Sequence, residues 1–135
     1  MSRLTKDNFD PDNNNRAMDG FNKLNQVLKE LCDTFHFYCM ENEMKFVITE
    51  TVTNGAQDAA LKRVSQSHEE GRAVDLRCKD WPNDFIEKFK AHFTEKYNHL
   101  GAVSKSDGVR RLIVDHVAPA NGARHFHVQI GRDRI

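Results

Sequence analysis

The chain has no excess of charge of either sign, because its 20 lysine and arginine residues equal its 20 aspartate and glutamate residues. A balanced charge gives no general reason to expect nucleic acid or an anionic membrane as a partner. A run of about 18 apolar residues, the length that spans a bilayer, is also absent. We therefore expect no nucleic-acid partner and no membrane insertion, and any partner must be recognised by a local site.

Cysteine is scarce. The three cysteines, Cys32, Cys39 and Cys78, are odd in number and lack the spacing of a zinc finger. If Cys32 and Cys39 share a helix, they lie roughly 10 Å apart, and a disulfide allows only about 7 Å. We expect three free thiols, which are typical of a reducing compartment.

The N-terminal segment lacks the apolar core of a signal peptide, which predicts cytoplasmic synthesis. Its polar, turn-forming run Asp10-Pro11-Asp12-Asn13-Asn14-Asn15 predicts a loop or a loosely held arm. We therefore divide the chain into a polar arm over residues 1–15 and a domain over residues 16–135. A chain of 135 residues is long enough to close one core.

Apolar periodicity predicts an α+β fold with an antiparallel sheet. Residues at steps of three and four predict one long N-terminal helix from Arg16 to about Met40, and a second helix is predicted between Pro82 and Gly101. A long polar loop is expected over 53–66. Strands are predicted over 44–52, 72–77, 109–117 and 124–130.

The last two strands are joined by a segment containing Asn121-Gly122, a strong hairpin signal. A turn centred there makes the numbers of paired residues sum to 243, which places His116 opposite His127. A slip by one residue would present Asp115 instead.

Histidines alternate along the last strand. His125 and His127 project to one face, while Phe126 and Val128 project to the other face and anchor the sheet to the core. Taken singly, each histidine is more often a structural or surface residue than a ligand. With His68 and Asp75, however, His127 gives two imidazoles and one carboxylate, the ligand set of a catalytic zinc site with an open position.

A catalytic site also needs a group that moves protons. His125 is the nearest candidate in sequence, and His116 and Asp115 remain alternatives. Arg63, five residues before His68, has two interpretations: a solvated side chain, or a clamp for a substrate carboxylate that uses its planar fork.

The run Ser67-His68-Glu69-Glu70-Gly71-Arg72-Ala73-Val74-Asp75-Leu76 resembles the His-x-x-Gly-x-Ala-x-Asp motif of zinc D-Ala-D-Ala carboxypeptidases. That family includes phage endolysin peptidases, and its metal fold recurs in the Hedgehog signalling domain. His125-Phe126-His127-Val128 is similar to the His-x-His strand that completes the family's metal site. The resemblance spans about residues 46–130.

The resemblance implies that His68, Asp75 and His127 bind zinc, that His125 acts beside the metal, and that Arg63 holds substrate. It further implies that Gly71 and Ala73 are small so that the chain can pass close to the site. The expected function is hydrolysis of D-amino-acid-containing peptide bonds in peptidoglycan, by a monomer that acts on stem peptides and is released at lysis or carried on a virion. The alternative is a non-catalytic, zinc-bearing binding or virion structural module, because Hedgehog-type domains keep such a site while serving as binding modules.

Overall fold

The computed structural model describes residues 4–52, 70–117 and 124–134. Helices and an antiparallel sheet build a structure compatible with one α+β domain, as the sequence predicts. Three-residue 3-10 turns occupy Lys6–Asn8, Asn98–Leu100 and Arg132–Arg134. The α-helices are α1 (Asp12–Phe21), α2 (Gln26–Glu41) and α3 (Asn83–Tyr97). The strands are β1 (Ile48–Glu50), β2 (Ala73–Arg77), β3 (Ala102–Val103), β4 (Arg110–Arg111), β5 (Ile113–Val117) and β6 (Arg124–Gln129).

The main sheet has the strand order β1-β2-β6-β5, and every neighbouring pair is antiparallel. Strands β2 and β6 are therefore internal. Their apolar residues Val74, Leu76, Phe126 and Val128 are fully buried. Helix α3 covers this face, where Phe89 stacks on Phe126 with ring centroids 5.7 Å apart. The core lies on one side of the sheet, and the other side is left for polar residues.

The prediction of one long N-terminal helix is wrong, because the chain breaks between α1 and α2. Asn25 is the N-cap of α2, and its side-chain oxygen accepts a hydrogen bond from the Val27 amide at 2.9 Å. Asparagine is among the preferred N-cap residues because it satisfies an amide that has no partner within the helix. The Asn25 amide itself donates to the Gly71 carbonyl at 2.9 Å, which ties the break to the chain entering β2.

The interpretation of residues 1–15 as a polar loop or loose arm is also wrong in its described part. Helix α1 already begins at Asp12. Phe9 is buried and meets Phe21 edge-on at 5.4 Å, and it forms a parallel bridge with Ile48. The Asn8 side-chain amide donates to the Phe46 carbonyl at 2.9 Å. An aromatic residue within this polar run thus fixes the segment against β1.

The hairpin register differs from the prediction by two residues. Paired residues of β5 and β6 sum to 241, so His116 lies opposite His125, and Val114 lies opposite His127. The Asn121-Gly122 turn lies outside the described residues. The predicted strand over 109–117 is interrupted at Leu112, whose amide donates to the Asn98 side chain at 2.9 Å.

Candidate metal centre

Asp75 and His127 lie next to each other on the polar face of the two internal strands. They are directly opposed across the β2–β6 ladder. Their side chains meet, with 2.9 Å between Asp75 Oδ1 and His127 Nδ1. The Asp75 side chain is 9% exposed and that of His127 is 19% exposed. Two strands inside the sheet therefore hold a carboxylate and an imidazole in contact, close to the surface.

His125 lies on the same face, two residues before His127. Its Nε2 atom is 3.9 Å from Asp75 Oδ2, which is too far for a hydrogen bond. On its other side, the His125 ring contacts His116 edge-on, with ring centroids 4.9 Å apart. The face thus carries a row of three histidines beside one carboxylate.

The structure separates the three residues considered for proton transfer. His125 and His116 share the face of Asp75, as their cross-strand pairing requires. Asp115 points towards α3, where it bonds Lys90 at 3.2 Å and forms an ion pair with Arg124. The hydrogen bond from Arg124 holds the Asp115 pKa below its ordinary value. Asp115 therefore lies away from this site.

The chain enters β2 through a fixed junction. Glu70 accepts hydrogen bonds from Arg72 at 2.6 Å and from Arg132 at 2.8 Å. The hydrogen bond from Arg132 is the main reason that the Glu70 pKa falls to about 2. Gly71 follows with φ +73°, and a Cβ there would lie 2.9 Å from the Lys23 carbonyl oxygen. The small residue at position 71 is therefore needed for contact with the α1–α2 break.

Two predicted site residues, His68 and Arg63, lie outside the described residues, as does the loop predicted over 53–66. Within 4–52, 70–117 and 124–134, no three histidine, cysteine, aspartate or glutamate side chains come together as a set that could hold a metal ion. Of the predicted site residues, Asp75, His127 and His125 lie on one face of the sheet, and Asp75 and His127 are in direct contact.

The Asp75–His127 pair fits two neighbouring zinc ligands. Zinc bonds to nitrogen and oxygen are about 2.0–2.2 Å long, so two ligand atoms of a tetrahedral site lie roughly 3.3 Å apart. The observed separation of 2.9 Å needs only a small widening to admit the ion. The same separation is that of a hydrogen bond, which keeps the two groups aligned when no ion is present.

The three cysteines belong to the hydrophobic core. All three cysteines are free and buried, as the sequence predicts for the thiols. Burial raises the pKa of Cys39 to about 12 and that of Cys78 to about 11, and it raises the pKa of Cys32 still further. Metal binding and nucleophilic attack require the thiolate, which these environments disfavour.

Sequence reasoning missed three residues near the pair. Glu50 is 3% exposed and lies across from Asp75 in the β1–β2 ladder, so it adds a second acidic residue to this part of the sheet. Arg77, opposite His125, bonds Asp10 through Nη2 at 2.8 Å. The position of Glu50, two residues after the apolar run 46–48 and within the predicted strand 44–52, could have indicated a charged side chain on the sheet. The Asp10–Arg77 contact spans 67 positions and left no signal in the sequence.

Comparison of the chain with protein-family models, with curated proteins and with solved structures gave no match. The resemblance to zinc D-Ala-D-Ala carboxypeptidases therefore depends on the two short motifs alone. None of the helices in the described part of the chain combines the length and apolar character needed to cross a bilayer.

Proposed function

We propose that this protein is a zinc-dependent peptidase that cleaves D-amino-acid-containing peptide bonds of bacterial peptidoglycan. One observation carries the proposal. The second halves of both resembling motifs form adjacent internal strands, and their Asp75 and His127 side chains meet at 2.9 Å. A chance likeness of two distant motifs gives no reason for their acidic and imidazole groups to be in contact. His68 would be the third ligand.

The donor set suits zinc because two neutral imidazoles and one carboxylate leave the ion a net positive charge and an open position. The chemistry that zinc supplies when bound is Lewis acidity, which lowers the pKa of water at the site towards neutrality and polarises a neighbouring carbonyl.

The residues of the chain supply the remaining steps. His125 Nε2 faces the Asp75 carboxylate at 3.9 Å, so this ring nitrogen is the atom that would exchange a proton with the attacking water or the leaving amine. The sheet restricts the motion of both groups, because each lies on an internal strand whose opposite face is packed in the core. Preorganised groups avoid the cost of reorientation during reaction.

The substrate would be a stem peptide of the cell wall, with Arg63 as the candidate clamp for its carboxylate. It would approach the polar face of the sheet, because helix α3 covers the opposite face. A wall-directed enzyme of this type would act after release at lysis or from a virion.

The test is digestion of purified peptidoglycan and of defined stem peptides, with identification of the products by mass, paired with elemental analysis of the protein. We expect about one zinc per chain and cleavage that a chelator abolishes. Asp75→Ala and His127→Ala should lose both zinc and activity, whereas His125→Ala should keep zinc and lose turnover. His99→Ala is the matched control, because His99 is an exposed histidine on the 98–100 turn.

Two results would refute the proposal in different ways. Zinc at full occupancy without cleavage of any wall peptide would indicate a binding or virion structural module. Absence of bound metal in the wild type, together with unchanged stability of Asp75→Ala, would show that the protein has no metal centre.

A further inference from the structure

His116 and His125 form a second histidine pair on the same sheet face, distinct from the Asp75–His127 pair. They are directly opposed in the β5–β6 ladder. Their ring centroids are 4.9 Å apart and the ring planes meet at 69°. His116 is exposed and His125 is half-buried, so the pair opens to solvent.

These dimensions match two imidazoles on one metal ion. With zinc–nitrogen bonds of about 2.0–2.1 Å and a tetrahedral angle, the ring centres of two ligating imidazoles lie roughly 5 Å apart. The observed separation of 4.9 Å between the ring centroids is close to this value. Solvent at the exposed side would complete the coordination.

The charges around the pair favour weak binding of a cation. Asp75 Oδ2 lies 3.9 Å from His125 Nε2, but in the zinc-loaded protein this carboxylate would already be a ligand of the first ion. The cation Arg77 lies opposite His125 in the β2–β6 ladder. Its guanidinium donates to the Asp10 carboxylate at 2.8 Å, and this ion pair offsets its positive charge. Arg124 pairs with Asp115 on the opposite face of the sheet.

We propose that His116 and His125 form a second, weaker site for a divalent transition-metal ion such as Zn²⁺ or Cu²⁺. Imidazole ligands suit both ions, and Cu²⁺ should bind the more tightly of the two. Two protein ligands hold an ion less firmly than three, so this site fills after the proposed zinc centre. An ion bound there occupies His125, and excess metal therefore inhibits the peptidase. This inhibition depends on the proposed function, whereas the second site does not.

The binding test is a titration of the metal-free 135-residue chain with Zn²⁺, monitored by calorimetry. We expect a tight and a weak class of site in the wild type. His116→Ala and His116→Gln should weaken the weak class at least about tenfold and leave the tight class unchanged. His127→Ala should lose the tight class and keep the weak one, and His99→Ala should keep both.

The spectroscopic test follows the histidine ring signals by NMR as the weak site fills. Changes at both His116 and His125 in the wild type, with no change at His125 in His116→Gln, support the proposal. A wild-type protein with no weak class up to about 1 mM Zn²⁺, or one whose weak class survives both His116 substitutions, overturns it. These results do not require any activity, so they are separable from failure of the peptidase assay.

The inhibitory consequence is measured as the ratio of the cleavage rate at one zinc equivalent to the rate in excess zinc. This ratio should be larger in the wild type than in His116→Gln. Equal ratios in the two proteins would overturn the inhibitory role.

Discussion

Replacement of Gly71 by alanine tests how the entry to β2 is held. Gly71 has φ +73°, a conformation that costs an L-residue about 1–2 kcal/mol. A Cβ there would also lie 2.9 Å from the Lys23 carbonyl oxygen and 3.6 Å from the Asn25 amide nitrogen. These are backbone atoms, so they cannot yield by rotation of a side chain.

Two costs therefore add for Gly71→Ala. Relief of the close contact requires the 23–25 backbone to move, which breaks the hydrogen bond from the Asn25 amide to the Gly71 carbonyl. Such a bond contributes about 0.5–1.5 kcal/mol, so the total is about 1.5–3.5 kcal/mol with the backbone term. The lower entropy of alanine in the unfolded chain offsets about 0.4–1 kcal/mol of this.

Gly108→Ala is a matched control, because Gly108 has φ +71° and a Cβ at this position would meet no atom within 4 Å. Gly108→Ala has the same cost of a positive φ and the same change in unfolded-chain entropy, but it lacks the close contact. In thermal unfolding of both variants, Gly71→Ala should lower Tm by roughly 2–7 °C more than Gly108→Ala does. Equal shifts in Tm would refute the close-contact argument.

Three further predictions concern the rest of the fold. Phe89→Ala removes a fully buried ring that stacks on Phe126 and should lower the free energy of unfolding by about 3–5 kcal/mol, measured by urea denaturation. Asn25→Ala removes the N-cap of α2 and should cost about 0.5–2 kcal/mol in the same assay, with Asn25→Ser recovering most of it. Asp115 has a pKa below its ordinary 3.8 in the folded state, so its ion pair stabilises the protein above that pH, and this stability is lost as the pH falls through the lowered pKa. Asp115→Asn should therefore flatten the dependence of Tm on pH in the acidic range, and an unchanged profile would show that the ion pair makes no contribution.

Strands β2 and β6 and helix α3 were predictable because their signals are local. Alternation in 124–130 and the helical spacing of Phe85, Phe89 and Phe93 each depend on neighbours in sequence, and both predictions are confirmed. The break between α1 and α2 escapes prediction because Phe21, Leu24 and Leu28 keep steps of three and four across it. Periodicity alone does not detect a turn whose apolar residues remain in phase with two helices.

Alternation predicted that His125 and His127 share one face of β6, but it did not predict which strand pairs with which in the candidate site. Which strand lies beside β2 depends on contacts between segments 52 positions apart, such as Asp75 with His127. The β5–β6 register depends on the length of the connection, and the observed pairing of Val117 with Arg124 leaves six residues between them. An Asn-Gly pair identifies a turn without fixing the number of residues around it.

The single tryptophan, Trp81, gives the protein an internal fluorescent reporter close to the histidine strand. Its indole is 6% exposed, donates to the Lys45 carbonyl at 2.9 Å, and meets the Phe126 ring edge-on at 6.1 Å. Phe126 lies between His125 and His127 in β6. Emission from Trp81 therefore reports the packing behind the strand that carries both histidines, and metal titrations can be followed optically without an added label.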